Sequence, residues 1–439
     1  MLFKNTIVRC ASAPRTLQAE EDPGQRAVAM PLLTRFRHTR ATTVGLCERL
    51  EAEDFVVQSM PDASPAKWHL AHTAWFFEEF LLGHFRSDYQ CFEPRYGLLF
   101  NSYYKGVGQA FTRAERGLLS RPTVRDVMDY RQHVDSAMEE LLARRGDDAE
   151  MQRLAELGCH HEQQHQELLL TDIKHAFSLN PLRPAYQDKR PPSLATAAMP
   201  LRFAEFAGGV VPVGHAGSEF SFDNETPRHQ VLLQPFALGK RLVTNAEYRD
   251  FVTAGGYRDP AHWLADGWAV VEQEQWQRPI YWDEACASEF TLMGQRAIDP
   301  NGPVCHLSFY EADAFARASS CRLPTEFEWE LAAPKSVDRG NFLDSDNWHP
   351  VPSAAAGDSL SQMFGDVWEW TQSPYSPYPR FKSWSGRIAE YNGKFMANQF
   401  VLRGGSCVTP RNHIRATYRN FFPPNARWQF AGLRLAKDC

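Results

Sequence analysis

A chain of 439 residues, 43% hydrophobic and 23% charged, has the make-up of a globular protein long enough for two domains. Its net charge of −6 and pI of about 6.2, with no Lys/Arg-rich run, argue against a nucleic-acid partner, and no stretch of 18 apolar residues is present to span a membrane. The nine scattered cysteines form no C-x-x-C pair, which argues against a disulfide framework or a thiolate zinc site and suits a reducing compartment.

Residues 1–30 read as an N-terminal extension, basic and free of acidic residues up to Ala19. Their apolar run is too short for a secretory signal, so the expected location is the cytoplasm. Residues 31–180 then read as four long helices. "PLLTRFRHTRATTVGLCERLEA" has apolar residues at helical spacing, and "SPAKWHLAHTAWFFEEFLLGHF" opens on a Ser-Pro entry signal and carries a broad apolar face. "RPTVRDVMDYRQHVDSAMEELLARR" keeps Val127, Val134, Met138 and Leu141 on one side, and "DAEMQRLAELGCHHEQQHQELLLTDIKHAFSL" is the fourth. This is the pattern of a four-helix bundle with functional residues directed into its middle. The long connection from about Arg86 to Arg121 reads as a functional loop without regular structure.

Five prolines between 181 and 200 mark a linker. Residues 201–439 hold ten of the twelve tryptophans, and short apolar runs such as "GGVVPVG" and "HQVLLQPFALGK" alternate with turns. Short helices are predicted at "TNAEYRDFVTAG" and "SFYEADAFARAS", which makes this half an α+β domain.

The chemistry is concentrated in "HHEQQHQE". His161 and His165, four residues apart, share a helix face within reach of one ion. Neutral imidazole suits zinc, iron, copper or nickel, so the ligand type does not choose the metal. H-E-x-x-H also occurs in zinc hydrolases, but that reading needs a third ligand after a bend. No glycine follows here, and Asp172 lies about 10 Å further along the same helix axis at roughly 1.5 Å per residue. A third imidazole must come from another helix, and the candidates are His69 and His72 in "WHLAHTAWFFEEF". Three histidines on one face leave coordination positions for an oxidisable substrate and O₂.

"WHLAHTAWFFEEF", "NSYY", "RGLLSRPT" and "HHEQQHQELLLTDIKHAF" resemble the DinB-like half of the ergothioneine-pathway sulfoxide synthases. "NETPRHQV", "RLPTEFEWELAA", "GDVWEWTQSPY", "LRGGSCV", "YRNFFPP" and "FAGLRLA" resemble the formylglycine-generating-enzyme/sulfatase-modifying-factor domain, which has a C-type-lectin-like fold. The resemblance implies an all-α DinB-like four-helix bundle followed by an α+β C-type-lectin-like domain. It also implies an Fe(II) enzyme that uses O₂ to join the thiol of cysteine to C2 of the hercynine imidazole as a sulfoxide. The implied iron ligands are His72, His161 and His165, with His69 and His160 as neighbours. Gln164 and Asn420 would hold hercynine with Tyr378 beside them. Phe421, Phe422 and Trp428 are candidates to cage its trimethylammonium group. A phenol near the sulfur would supply a proton, from Tyr104 first, then Tyr103, then Tyr375.

Formylglycine-generating enzymes hold copper with a cysteine pair near "RGGS"; only Cys407 is present here, so it is expected to pack in the core. Where the branch using γ-glutamylcysteine carries an aspartate and an arginine, this chain has Phe422 and Ala426, which favours cysteine. Arg113 is the candidate for its carboxylate, with Arg116 behind it. The substrate partners are thus hercynine, cysteine and O₂. A pathway methyltransferase and a C–S lyase act before and after, without an implied stable complex. Alternatives are γ-glutamylcysteine as donor, an ovothiol-type histidine–cysteine reaction, a zinc hydrolase or thiol transferase, and a non-catalytic binding protein.

Overall fold

The computed structural model describes residues 30–439 apart from 146, 189–199, 335–336, 338 and 354–358. The N-terminal extension, save Met30, and most of the proline-rich segment therefore lie outside the described residues.

Four long helices form where the apolar spacing predicts them: α1 (Leu32–Cys47), α2 (Ala66–Phe77), α3 (Val124–Arg144) and α4 (Ala149–Leu179). The ends of two are set by local chemistry. Thr123 and Asp126 form a capping box at the start of α3, and the Asp148 side chain accepts from Glu150 N and Met151 N at the start of α4. Every residue of α2 is buried, its polar Lys67, His69, His72 and Thr73 included, so this helix is the centre of the bundle and packs on α3 and α4. It continues through a π-helical turn at Glu78–Leu82. Gly158 on α4 lets the two helices approach closely, because a Cβ there would meet Phe77 Cε1 at 2.4 Å. That contact sits one turn before His161, whose ring meets that of His72 edge-on with centroids 5.0 Å apart.

A buried ion cluster ties three helices together. Arg40 of α1 and Arg131 of α3 donate to the two oxygens of Glu162 on α4, at 2.7 and 2.9 Å. The stretch from Arg86 to Arg121 differs from the structureless loop expected. It holds a short helix at Tyr96–Phe100 and a 3₁₀ segment at Arg113–Leu118. Among the described residues, no helix is long and apolar enough to cross a membrane.

The second half is built on small sheets. β7 (Trp368–Pro374), β8 (Phe400–Arg403) and β9 (Asn420–Phe422) run antiparallel in turn, and β10 (Ala431–Gly432) adds in parallel to β7. The last strand, β11 (Ala436–Asp438), pairs with β4 (Phe236–Gly239), which also pairs with β1 (Phe203–Phe206). Hairpins β2–β3 (Gly209–Val213, His229–Leu233) and β5–β6 (Ser288–Thr291, Gly294–Ala297) complete the strands. The two predicted short helices form at Asn245–Thr253 and Phe309–Ala318, each with a capping box. Two more, Ala265–Glu274 and Glu326–Ala332, were not expected from the sequence.

The outer face of α4 carries the second half. Gln163 Nε2 donates to Asn412 Oδ1 at 2.5 Å, and Glu167 accepts from Trp368, Ser406 and Thr409. Residues 181–188, read as part of a linker, are anchored: Tyr186 N and Gln187 N both donate to Leu292 O. The two halves thus meet along the helix that carries H-E-x-x-H.

Candidate metal centre and its cavity

His72, on α2, and His161 and His165, on α4, bring their ligand nitrogens within 4.8 Å of one another. His72 is sandwiched between Trp68 and Trp75, with ring centroids at 4.5 and 5.5 Å, and His161 stacks on Phe76 at 4.2 Å. His72 Nδ1 lies 2.6 Å from Phe100 O and must carry the proton there, so Nε2 presents a lone pair. That lone pair faces His161 Nε2 at 3.2 Å. Burial holds His72 and His165 well below the ordinary imidazole pKa and His161 down at about 3, so all three are neutral at neutral pH. Neutral imidazoles converging in a largely buried site form a donor set for a divalent metal, with positions left over for substrate.

His69 lies outside the group of three converging imidazoles and touches one of them. Its Nδ1 lies 2.8 Å from His165 Nδ1, and its Nε2 lies 3.0 Å from Asp172 Oδ2. With Nε2 donating to the carboxylate, His69 Nδ1 accepts from His165 and leaves His165 Nε2 free for metal. Glu162, the acid of H-E-x-x-H, is wholly buried between Arg40 and Arg131, which hold its pKa down at about 2 against the upward push of burial. It cannot act as a hydrolytic base, so the zinc-hydrolase alternative loses its catalytic group.

His161 and His165 open onto a cavity of about 380 Å³ that lies between the two halves of the chain. Of the residues expected from the sequence, Gln164, Asn420, Phe421, Phe422, Tyr103 and Arg113 line it. Gln164 is oriented from both sides: its Nε2 donates to Tyr418 Oη at 2.8 Å, and its Oε1 accepts from Tyr391 Oη at 2.7 Å.

Four expectations are corrected. Tyr104 is fully buried behind Tyr103, stacked on it at 4.6 Å and packed on Trp75 and Phe80, so only Tyr103 reaches the wall. Tyr375 lies outside the wall. Its ring stacks behind Phe421 at 4.1 Å, and its hydroxyl accepts from Asn224. The Tyr378 hydroxyl is taken up by Glu326 and Arg403 in a buried ionic cluster, with the Arg419 guanidinium over its ring. Trp428 stands behind Phe422 at 6.3 Å and does not line the cavity. Ala426 is also behind the wall, so of these two positions only Phe422 lines the cavity.

Two cationic side chains of the loop reach the cavity. Arg113, exposed, donates to Asp62 O at the rim. Arg116, expected only as the second choice, is buried, with its guanidinium 3.4 Å from the centroid of the Trp68 ring. Burial, then the neighbouring Arg113, lowers its pKa to about 9, which leaves it charged at neutral pH. Trp368, Tyr391, Tyr418 and Glu167 also line the cavity without having been singled out. Trp368 and Tyr418 lie in quoted motifs, "GDVWEW" and two residues before "NFF"; Tyr391 carries no local signal at all. Cys407 is wholly buried.

Fold and site together define a two-domain protein whose metal-ligating bundle and second domain share one cavity. Residues 35–169 match the DinB superfamily, and residues 204–359 and 350–439 match the sulfatase-modifying factor enzyme 1-like domain. Hercynine oxygenase of Mycobacterium tuberculosis is 32% identical over 443 residues, covering 93% of this chain and 98% of its own. That of Mycolicibacterium thermoresistibile is 32% identical over 86% of this chain and 88% of its own. A formylglycine-generating enzyme of Streptomyces coelicolor is 29% identical, over 53% of this chain and 87% of its own. The chain belongs to the hercynine oxygenase family.

Proposed function

We propose that this protein is an iron(II)- and O₂-dependent oxygenase that joins the sulfur of L-cysteine to C2 of the hercynine imidazole, giving the sulfoxide used in ergothioneine biosynthesis. The observation that carries the reading is the shared cavity. Two of three convergent imidazoles open there beside Gln164 and Asn420, in a chain similar along nearly its whole length to hercynine oxygenases. The reaction balances as thiol plus imidazole C–H plus O₂ giving sulfoxide plus water: one oxygen atom goes to sulfur, and the other leaves with the two hydrogens.

His72, His161 and His165 would hold the iron, which supplies one-electron chemistry toward O₂ and lowers the pKa of a thiol. The remaining work falls to side chains of the chain itself. Gln164, fixed by Tyr418 and Tyr391, presents its amide to the hercynine imidazole, and Asn420 lies on the same wall. The trimethylammonium group cannot donate hydrogen bonds and is stabilised by aromatic faces, of which Phe421, Phe422, Trp368 and Tyr418 are in the wall. Tyr103, whose pKa burial raises to about 12, remains a phenol at neutral pH and lines the cavity, from which it would donate a proton toward the sulfur. Arg116, with Arg113 at the rim, meets the carboxylate of cysteine. A methyltransferase that makes hercynine and a C–S lyase that cleaves the product would act on either side in the cytoplasm, without a stable complex.

The metal and the class of chemistry are tested together by reconstituting metal-free protein with Fe(II), Zn(II) or Cu(I) and following O₂ uptake. Uptake with Fe(II) alone, dependent on both hercynine and a thiol, supports the reading. Uptake independent of hercynine, or equal with copper, contradicts it.

A further inference from the structure

The cavity wall carries two carboxylates, and they differ in what remains free on them. Glu167 is occupied: Trp368 Nε1, Ser406 Oγ and Thr409 Oγ1 donate to its oxygens at 2.7, 2.7 and 2.6 Å. Asp172 takes both of its donors, Ser64 N at 2.8 Å and His69 Nε2 at 3.0 Å, on Oδ2. Among the described residues no hydrogen bond reaches its Oδ1.

The same Ser64 also holds Arg116, whose Nη1 donates to Ser64 Oγ at 2.9 Å. One serine therefore keeps a buried carboxylate and a buried guanidinium side by side in the wall. The two make no ion pair with each other. Among the described residues Arg116 has no carboxylate within ion-pair distance, and its Nε has no hydrogen-bond partner. A third open group shares the wall. Gln429, only 3% exposed, donates through Nε2 to Ala426 O, and its Oε1 has no partner. Buried donors and acceptors left unpaired are costly, and their gathering in one cavity calls for a ligand that fills them.

A guanidinium without a carboxylate partner, in the same wall as unpaired acceptors, matches a zwitterion. We propose that Arg116 and Asp172 clamp the two ends of the α-amino-acid head of the thiol donor. Arg116 takes the carboxylate, and Asp172 Oδ1, with Gln429 Oε1 as a further acceptor in the same wall, takes the α-ammonium group. This rests on the proposed oxygenase reaction and deepens it, because it makes Asp172 a specificity-determining residue for a free amine. In γ-glutamylcysteine the corresponding nitrogen is a neutral amide with one N–H, which offers a carboxylate neither charge nor three donors. N-acetylcysteine has the same amide with little added bulk, so it separates charge from size.

The experiment compares L-cysteine with N-acetylcysteine in two ways. Equilibrium binding is measured on the metal-loaded protein without hercynine or O₂, and kcat/KM is measured with hercynine in air. The wild-type protein is expected to favour cysteine by about 30-fold or more in both, the scale of a desolvated charged hydrogen bond. In Asp172→Asn at saturating metal, the loss should fall on cysteine and bring the ratio close to one. Because Asp172 also touches His69, Gln429→Met is the second variant; it should lower the ratio by about 3- to 10-fold without altering metal affinity. Equal binding of the two thiols by the wild-type protein, or an equal loss for both in Asp172→Asn, overturns the clamp. A binding preference without any sulfoxide product leaves the clamp standing and overturns the reaction.

Discussion

Tyr103 and Tyr104 are adjacent in the chain, yet only one of them lines the cavity. Tyr103 faces it, and Tyr104 is sealed behind, between Trp75 and Phe80. Tyr103→Phe should lower the rate of sulfoxide formation by about 100-fold or more, the usual range for losing a positioned proton donor, whereas Tyr104→Phe should stay within a few-fold of wild type. Initial rates of product formation with both variants check this; the reverse order would place the proton donor on Tyr104. The sequence could not settle that order, because neighbouring residues on an irregular loop carry no periodicity to say which side chain faces inward. The pair His161/His165 was legible, since four-residue spacing on a helix forces a shared face. His72 against His69 was not, since both lie on a helix whose every residue is buried, and the resemblance alone selected between them. Tyr375, Tyr378 and Trp428 were misplaced for a related reason: each belongs to a motif near the cavity, but other residues stand between it and the wall.

At the scale of elements, α4 does most of the positioning. One face bears the histidines, another the Glu162 ion cluster, and a third the contacts to the second half. The support of His165 by His69 and Asp172 predicts that His69→Ala weakens Fe(II) binding by about 10- to 100-fold, as loss of an outer hydrogen bond to a metal ligand does. Competition against a calibrated chelator measures it, and an unchanged affinity would remove His69 from any supporting role. The long helices were read from their apolar spacing. The unexpected helix Glu326–Ala332 has a Thr325/Glu328 capping box in its sequence but only seven residues, too short for the spacing to declare itself. The loop between α2 and α3 was expected to be irregular, yet its two short helical segments are what place Phe100 O and Arg116 at the site.

For the molecule as a whole, the cavity exists only where the two halves meet, and buried histidines accompany that junction. Burial first, then Lys174, holds His306 well below the ordinary imidazole value; burial first, then Arg415, does the same for His413. Below about pH 6.5 the unfolded chain therefore takes up protons that the folded protein refuses, so stability is full above that pH and is lost as pH falls. Each such histidine contributes up to about 1.4 kcal/mol per pH unit. The denaturant midpoint should fall between pH 7 and pH 5; a flat profile would contradict the buried neutral histidines.

Whether this cavity makes a carbon–sulfur bond with O₂ is read directly from its products. Protein purified without air and loaded with Fe(II) is given hercynine with cysteine, γ-glutamylcysteine or neither, and histidine replaces hercynine in a parallel set. Air is then admitted, and products are identified by mass spectrometry alongside O₂ consumption. One adduct is expected, hercynine joined to cysteine and carrying one added oxygen, formed with one O₂ consumed per adduct. O₂ consumed without any sulfur–imidazole adduct, or an adduct formed with histidine in preference to hercynine, would contradict it.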